Sequence, residues 1–413
     1  MAASKKVHRR VIPWSRCFWV LIMVFGNSKL THGNDCDGTR FPLLEQNNPI
    51  IKCAILLDDD LKFPRNILVI DQDIYVIDKG SDLFTYGERS GAIHRYKREG
   101  GLYYRETIIE QLDDPNDIDS HTDDNGQIWI YFTARTGVFR FKASSSLTDI
   151  VTEAVLTNLP TNGWHKLVSM HIFSDSLFVH IPSASDHCES STDINSVHFP
   201  CPESSNGTAS IRVHTITQGE VNQEFKTIAN GLRSSSGMTS INQGEHLLVS
   251  DNGWDNVALE TDSLDYQTTP SDELNVIDLE SSSSRSPKHY GWPYCYNQNT
   301  VSPPYAKYIS NCDGYSKPYS ELPAHSAPLA LISINNTVLV NLHGPGLNGR
   351  KTIRLEMDHT RETSNNPKEF IKWVYANNQI SRPFGIAALN NKELLFTDDW
   401  NHLLIKIILN EKI

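Results

Sequence analysis

The stretch FGIAALNNKELLFTDDWNHLLIKI, residues 384–407, sets three short apolar segments apart with the polar turns Asn390-Asn391-Lys392 and Asp398 to His402. That is the pattern of consecutive antiparallel strands. Comparable units precede it: RNILVIDQDIYVIDKG at 65–80, NDIDSHTDDNGQIWIYFTARTGVFRF at 116–141, KLVSMHIFSDSLFVHI at 166–181, MTSINQGEHLLVSDNG at 238–253 and LALISINNTVLVNLHG at 329–344. The copies begin near Pro64, Pro115, His165, Gly237, Pro328 and Pro383. Short strands in repeats of this length predict an all-β chain, a six-bladed β-propeller, in which radial repetition protects sheet edges and leaves the loops of one face free for function. A pair of β-sandwiches is the alternative, but six similar units leave no break in composition for a boundary.

The intervals Ser183–Ser210 and Val257–Pro323 exceed the repeat and hold two cysteines each, so they read as disulfide-pinned loop insertions. At the start of the chain, Lys5, Lys6, Arg9, Arg10 and Arg16 precede and flank the apolar run Cys17 to Phe25, which is too short to span a bilayer. Residues 1–33 read as a signal peptide, which implies a secreted protein with no membrane insertion of the mature chain. Residues 34–413 form a single propeller domain, with 34–60 packing on it. The whole chain carries a formal charge of −12, and without the leader 31 Lys/Arg face 49 Asp/Glu, which excludes nucleic acid as a partner. Six cysteines remain after the leader, an even set suited to an oxidising compartment. Fifteen connectivities exist and sequence does not choose among them; nearest neighbours, Cys36–Cys53, Cys188–Cys201 and Cys295–Cys312, are the simplest expectation. Asn206 and Asn335 open glycosylation sequons.

Five segments carry candidate chemistry. His165 stands just before a strand, where an imidazole can take a hydroxyl proton as general base. Arg233, between Gly231 and Gly237, suits bidentate binding of a carboxylate. The runs Asp251-Asn-Gly-Trp-Asp-Asn256 and Pro270-Ser-Asp-Glu-Leu-Asn275 offer the oxygen ligands that calcium prefers, without EF-hand spacing. His289-Tyr-Gly-Trp-Pro-Tyr-Cys-Tyr296 is an aromatic turn fit to wall a sugar or cofactor pocket. Taken singly, each also reads as packing, a turn or a solvated charge.

In order, these motifs resemble the soluble quinoprotein glucose/sorbosone dehydrogenases, and among them the fungal pyranose dehydrogenase propellers that use pyrroloquinoline quinone (PQQ). The landmarks are Pro64-Arg65, Trp164-His165, Gly231-Leu-Arg233, Asp251-Asn-Gly253, Asp272-Glu-Leu-Asn275, Tyr290-Gly-Trp-Pro-Tyr-Cys295, Leu322-Pro-Ala-His-Ser-Ala-Pro328, His343-Gly344 and Arg382-Pro383. The resemblance implies PQQ lying over a Ca2+ ion on one face, and oxidation of an aldose or pyranose to its lactone by hydride transfer to the quinone, with an external electron acceptor. It implies His165 as the base and Arg65, Arg233, Ser234, His343, Asn348 and Arg382 as cofactor-binding residues. The main-chain carbonyls of Gly253 and Trp254 are the implied metal ligands.

The chain also departs from the family pattern. Ser234 replaces an Asn, Trp254 an Arg, and the loop after His343 reads Gly-Pro-Gly-Leu-Asn348 with Arg350 displaced. Two other readings therefore stand beside the dehydrogenase: a catalytically silent propeller that binds carbohydrate or protein, and a calcium-dependent lactonase.

Overall fold

The computed structural model describes residues 29–31 and 49–413, apart from 83, 136, 145–149, 162, 191–192, 256–267, 280–285, 358–366 and 375–379. Its six main antiparallel sheets are the blades of a propeller, as the repeats predict. The innermost strands of blades 1 to 6 are Pro64–Ile70, Ile118–Thr122, Ser169–Phe173, Met238–Ile241, Pro328–Ile334 and Pro383–Asn390, each at one of the repeat starts.

Alternation along the second strands builds the core. In Ile128–Ala134 of blade 2, Trp129 and Tyr131 join a cluster with Met170 and Leu177 of blade 3. Ile130 and Phe132 join Tyr75 and Ile93 of blade 1 on the opposite side. In Glu393–Asp398 of blade 6, Leu394 and Phe396 face blade 5 while Leu395 faces blade 1. Period-2 side chains thus serve two interfaces per sheet, which is why these strands carry nearly continuous apolar sequence. Each buried Leu or Phe contributes about 1.5–3 kcal/mol.

Blade 6 draws only three strands from the C-terminal repeat. Its outer strand is Ile51–Asp58, paired antiparallel with Leu403–Leu409 from Ile51 opposite Leu409 to Asp58 opposite Leu404. The segment 34–60, expected to pack on the propeller, thereby supplies a strand of it. Lys29–Thr31, inside the expected leader, forms a short strand beside Leu102–Leu112 of blade 1; the rest of the leader lies outside the described residues.

A cavity of about 310 Å3 between the innermost strands of all six blades is lined by Asn66, Asp117, His171, Gly237, Ala330 and Ile386 among others. Polar bonds tie the inner strands around it. Asp117 accepts from Asn66 Nδ2 at 2.8 Å and from the Met170 N–H at 2.8 Å, linking blades 1, 2 and 3. The Ser240 N–H donates to His171 Nε2 at 3.1 Å, so Nδ1 of that ring is the donor to Asp119 at 3.0 Å, linking blades 2, 3 and 4.

Both insertions are disulfide-pinned as expected. Cys188 pairs with Cys201 and Cys295 with Cys312, with Cα atoms 6.0 and 6.1 Å apart. Cys53 is itself disulfide-bonded, and its expected partner Cys36 lies outside the described residues. The two excursions share one apolar cluster, in which Trp292, Tyr294 and Tyr305 pack on both disulfides. Both sequon asparagines, Asn206 and Asn335, are exposed. Among the described residues no helix is long and apolar enough to cross a membrane.

Candidate functional site

In each blade the loop entering the first strand and the loop leaving the second lie at the same end of the sheet, and the expected site residues occupy these loops. A path of contacts joins them. From Nδ1, His165 donates to the Ser183 carbonyl at 3.0 Å, and the Ser183 N–H donates to the Arg233 carbonyl at 2.8 Å. Arg233 Nη2 donates to Asp255 at 2.9 Å, and Asp255 lies 3.8 Å from His325. Two residues further on, the Ala327 carbonyl accepts from the His343 N–H at 2.9 Å. His343 Nε2 donates to Asp399 at 2.8 Å, and Asp399 also receives Arg65 Nη1 at 3.4 Å. Residues spread over more than three hundred positions therefore share one propeller face.

The His165 ring is held in one orientation. Gly163, two residues earlier, fits against the backbone of Ala184, where an added Cβ would stand 2.1 Å from the Ala184 Cα. The carbonyl of Ser183 accepts only a proton, so Nδ1 carries it and the Nε2 lone pair is open. Among the described residues Nε2 has no partner. Burial, with the Arg233 guanidinium adding to it, lowers the imidazole pKa to about 3, so the ring is neutral at physiological pH.

Arg233 is engaged differently from what the sequence implied. Its side chain is buried, with Nη2 bonded to the Asp186 carboxylate and to Asp255, Nε donating to the Asp186 carbonyl at 3.1 Å and Nη1 to the Asn252 carbonyl at 3.4 Å. Burial alone would lower its pKa, but Asp186 and then Asp255 hold it above the ordinary value. Its donors are spent on two carboxylates of the chain itself. Asp186 is further fixed by the Trp292 indole N–H, which donates to its carbonyl at 2.8 Å, so the aromatic turn of one insertion buttresses the other.

The remaining expected residues divide in the same way. Both ring nitrogens of His343 are used, Nε2 by Asp399 and Nδ1 by Arg382 Nη2 at 3.0 Å. Asn348 donates to the Ala324 carbonyl at 2.8 Å, and the Ser234 N–H donates to Asp251 at 2.8 Å. Arg382 also donates from Nε to the His343 carbonyl at 3.0 Å, and its Nη1 has no partner among the described residues. Arg65 stands out. It is 1% exposed, its guanidinium lies 4.2 Å from the centre of the Phe384 ring, and its Nε and Nη2 have no partner among the described residues. Buried, unspent donors of this kind fit an anionic group.

Gly253 and Trp254 leave the second strand of blade 4. The Gly253 N–H donates to Asp272 at 2.8 Å, and Asp272 also accepts from the Ala327 N–H at 2.7 Å, tying this loop to the turn around His325. Trp254 is buried against His187 and Tyr296, with ring centroids 5.6 and 6.0 Å away. A cavity of about 20 Å3 is lined by Asp251, Asn252, Gly253, Trp254, Ser271 and Glu273 among others. Burial pushes Asp251 and Asp272 up to about 6, and Asn252 Oδ1 is buried with no partner among the described residues. Carboxylate and amide oxygens are the ligand type a hard cation prefers, and here they share the lining with the Arg233 guanidinium and the Tyr290 and Trp292 rings.

Two site residues were missed in the sequence. Asp399, which holds both His343 and Arg65, sits in the very stretch whose periodicity defines the last blade. Asp186 lies inside an insertion and carries no signal beyond its nearness to Cys188.

The TrAA12-like family model matches residues 53–401. The PQQ domain of a pyranose dehydrogenase from Coprinopsis cinerea aligns with a TM-score of 0.62 at 16% identity, covering 86% of this chain and 95% of that one. The calcium structure of a Trichoderma reesei carbohydrate-active enzyme of family AA12 gives 0.65 at 17% identity, covering 88% and 98%. The PQQ-bound aldose sugar dehydrogenase of Streptomyces coelicolor gives 0.57 at 15%, covering 86% and 98%. An uncharacterized protein of Borreliella burgdorferi is 25% identical over 195 residues, a match spanning 44% of this chain and 48% of that protein.

Proposed function

Since the chain belongs to the TrAA12-like family, we propose that it is a secreted oxidoreductase that binds PQQ and calcium and oxidises an aldose or related pyranose to its lactone, passing the electrons to an external acceptor. The observation that carries this reading is His165, a neutral imidazole whose tautomer is fixed and whose Nε2 is open on the face where the blade loops converge.

When bound, PQQ supplies the two-electron acceptor, and the protein supplies binding, orientation and the base. Arg65, through its unspent Nε and Nη2, and Arg382, through Nη1, are the groups that would hold the cofactor's anionic edge. The loop of Gly253 and Trp254, with Asp251 below it, would hold the cation. His165 Nε2 takes the proton of the sugar hydroxyl, and the Ser183 carbonyl at Nδ1 stabilises the cation that results.

A second reading is favoured by one specific observation. Arg233 and His343 are saturated by groups of the chain itself, as in a propeller that keeps the fold and binds carbohydrate or protein without turnover. Purified protein reconstituted with calcium and PQQ separates the two. The oxidoreductase reading expects a bound-quinone absorption that bleaches when aldoses are added, and it fails if PQQ at micromolar concentration leaves no bound spectrum.

A further inference from the structure

Of the tryptophans in the described residues, Trp129, Trp254, Trp292 and Trp373 are buried, whereas Trp164 and Trp400 are 55% and 52% exposed. Both exposed indoles stand on the site face. Trp164 immediately precedes His165, and its main-chain N–H donates to the Ala184 carbonyl at 2.8 Å, which fixes the backbone that carries the indole. Trp400 follows Asp399; its N–H donates to Asp398 at 3.1 Å, and its ring lies 5.7 Å from the Arg382 guanidinium. An indole offers a flat apolar face with a polar edge, and both of these stand in loops of the face that carries the candidate site, as do the more exposed Phe84 and Leu347.

Their placement in the ring says what kind of ligand. Trp164 belongs to the entrance of blade 3 and Trp400 to the second-strand exit of blade 6. Three blades apart in a ring of six, they lie across the propeller axis from each other, with the candidate site between. We propose that Trp164 and Trp400 are two stacking platforms for an oligosaccharide: the terminal ring, whose hydroxyl faces His165 Nε2, rests at Trp164, and a ring further along the chain lies on Trp400. The flat C–H face of a pyranose is apolar and its rim is polar. It therefore suits an indole beside a charged hydrogen-bond donor such as Arg382, whereas a protein partner would call for a continuous apolar patch. The inference rests on the carbohydrate reading of the site and adds the length of the substrate and the residues that measure it.

Two readouts test it. In the first, protein with calcium and without PQQ is titrated with glucose and with cellotriose, maltotriose and mannotriose while indole fluorescence is followed. At least one trisaccharide should bind about tenfold or more tightly than glucose, and Trp400→Ala should remove that advantage, a tenfold change being the order expected for one good stacking contact. In the second, on PQQ-loaded protein, the ratio of kcat/KM for that trisaccharide to kcat/KM for glucose should fall about tenfold in Trp400→Ala. Phe225→Ala, at an exposed aromatic outside the site, should keep the wild-type ratio. Equal affinity for glucose and all three trisaccharides, or an unchanged advantage in Trp400→Ala, overturns the inference and leaves the oxidoreductase reading in place if glucose still bleaches the quinone. Tight trisaccharide binding with no quinone bound has the opposite meaning: the platforms stand and the redox chemistry falls.

Discussion

At His165 the decisive fact is which nitrogen carries the proton, and that is settled by the Ser183 carbonyl rather than by the residue itself. His165→Ala should lower turnover by a factor on the order of 10²–10⁴ with the quinone still bound, measured as steady-state rate beside the bound absorption spectrum. Because burial holds the imidazole pKa at about 3, kcat/KM should show no inflection near pH 6.5; a limb there would mean that another group is the base. The two arginines, both cofactor-binding by the family pattern, should differ in what their loss does. Arg233→Ala strips the buried Asp186 of its counter-charge, so thermal unfolding should reveal a loss of about 3–5 kcal/mol. Arg65→Met removes the unspent buried donors together with one counter-charge of Asp399, which keeps its bond from His343, so PQQ affinity should fall about tenfold or more in a titration, with some loss of thermal stability beside it.

At the level of elements, the strand Ile51–Asp58 and the two pinned insertions do most to position the site. Deleting residues 49–58 uncovers Leu403–Leu409 and leaves Leu395 and Leu404 without Ile55 and Leu57, so the variant should lose cooperative unfolding by calorimetry. Six inner strands were legible because each repeat places an apolar segment ahead of a polar turn, a pattern local to a dozen residues. The closing strand was less so, since Ile51–Asp58 has no hairpin neighbour in sequence and its partner lies at the far end of the chain. The site was legible in the same measure. His165 and the Gly253 loop were candidates from the residues at repeat boundaries, and Arg65 through the family resemblance, but the engagement of Arg233 depends on Asp186, contributed by an insertion with no periodicity of its own. Burying Trp254 required Tyr296 and His187 from different loops, which no spacing along the chain announces.

For the molecule as a whole, charges buried between blades set the response to pH. Asp117 is pushed up to about 7 by burial, so the folded state holds its proton more tightly than the unfolded chain does. Its contribution is therefore greatest below about pH 4 and is lost as the pH rises toward 7. Asp78, Asp186 and Asp399 are held below the usual carboxylate range despite their burial, as is the exposed Asp255 beside Arg233, and what they contribute is lost as the pH falls through the acid range. Asp117→Asn, whose amide has no proton to lose, should keep more of its thermal midpoint than the wild type does on going from about pH 4 to 7; identical pH profiles for the two would remove Asp117 from the pH response. The joint between Ile51–Asp58 and Leu403–Leu409 has a further meaning for how the molecule is made. A ribosome releases the first of these strands some three hundred and fifty residues before the second, so the strand emerges with its ladder unanswered and its apolar side bare. Until the last repeat is out, five blades stand as an open arc with two raw ends, and a nascent chain halted anywhere short of residue 403 has no means of becoming a ring.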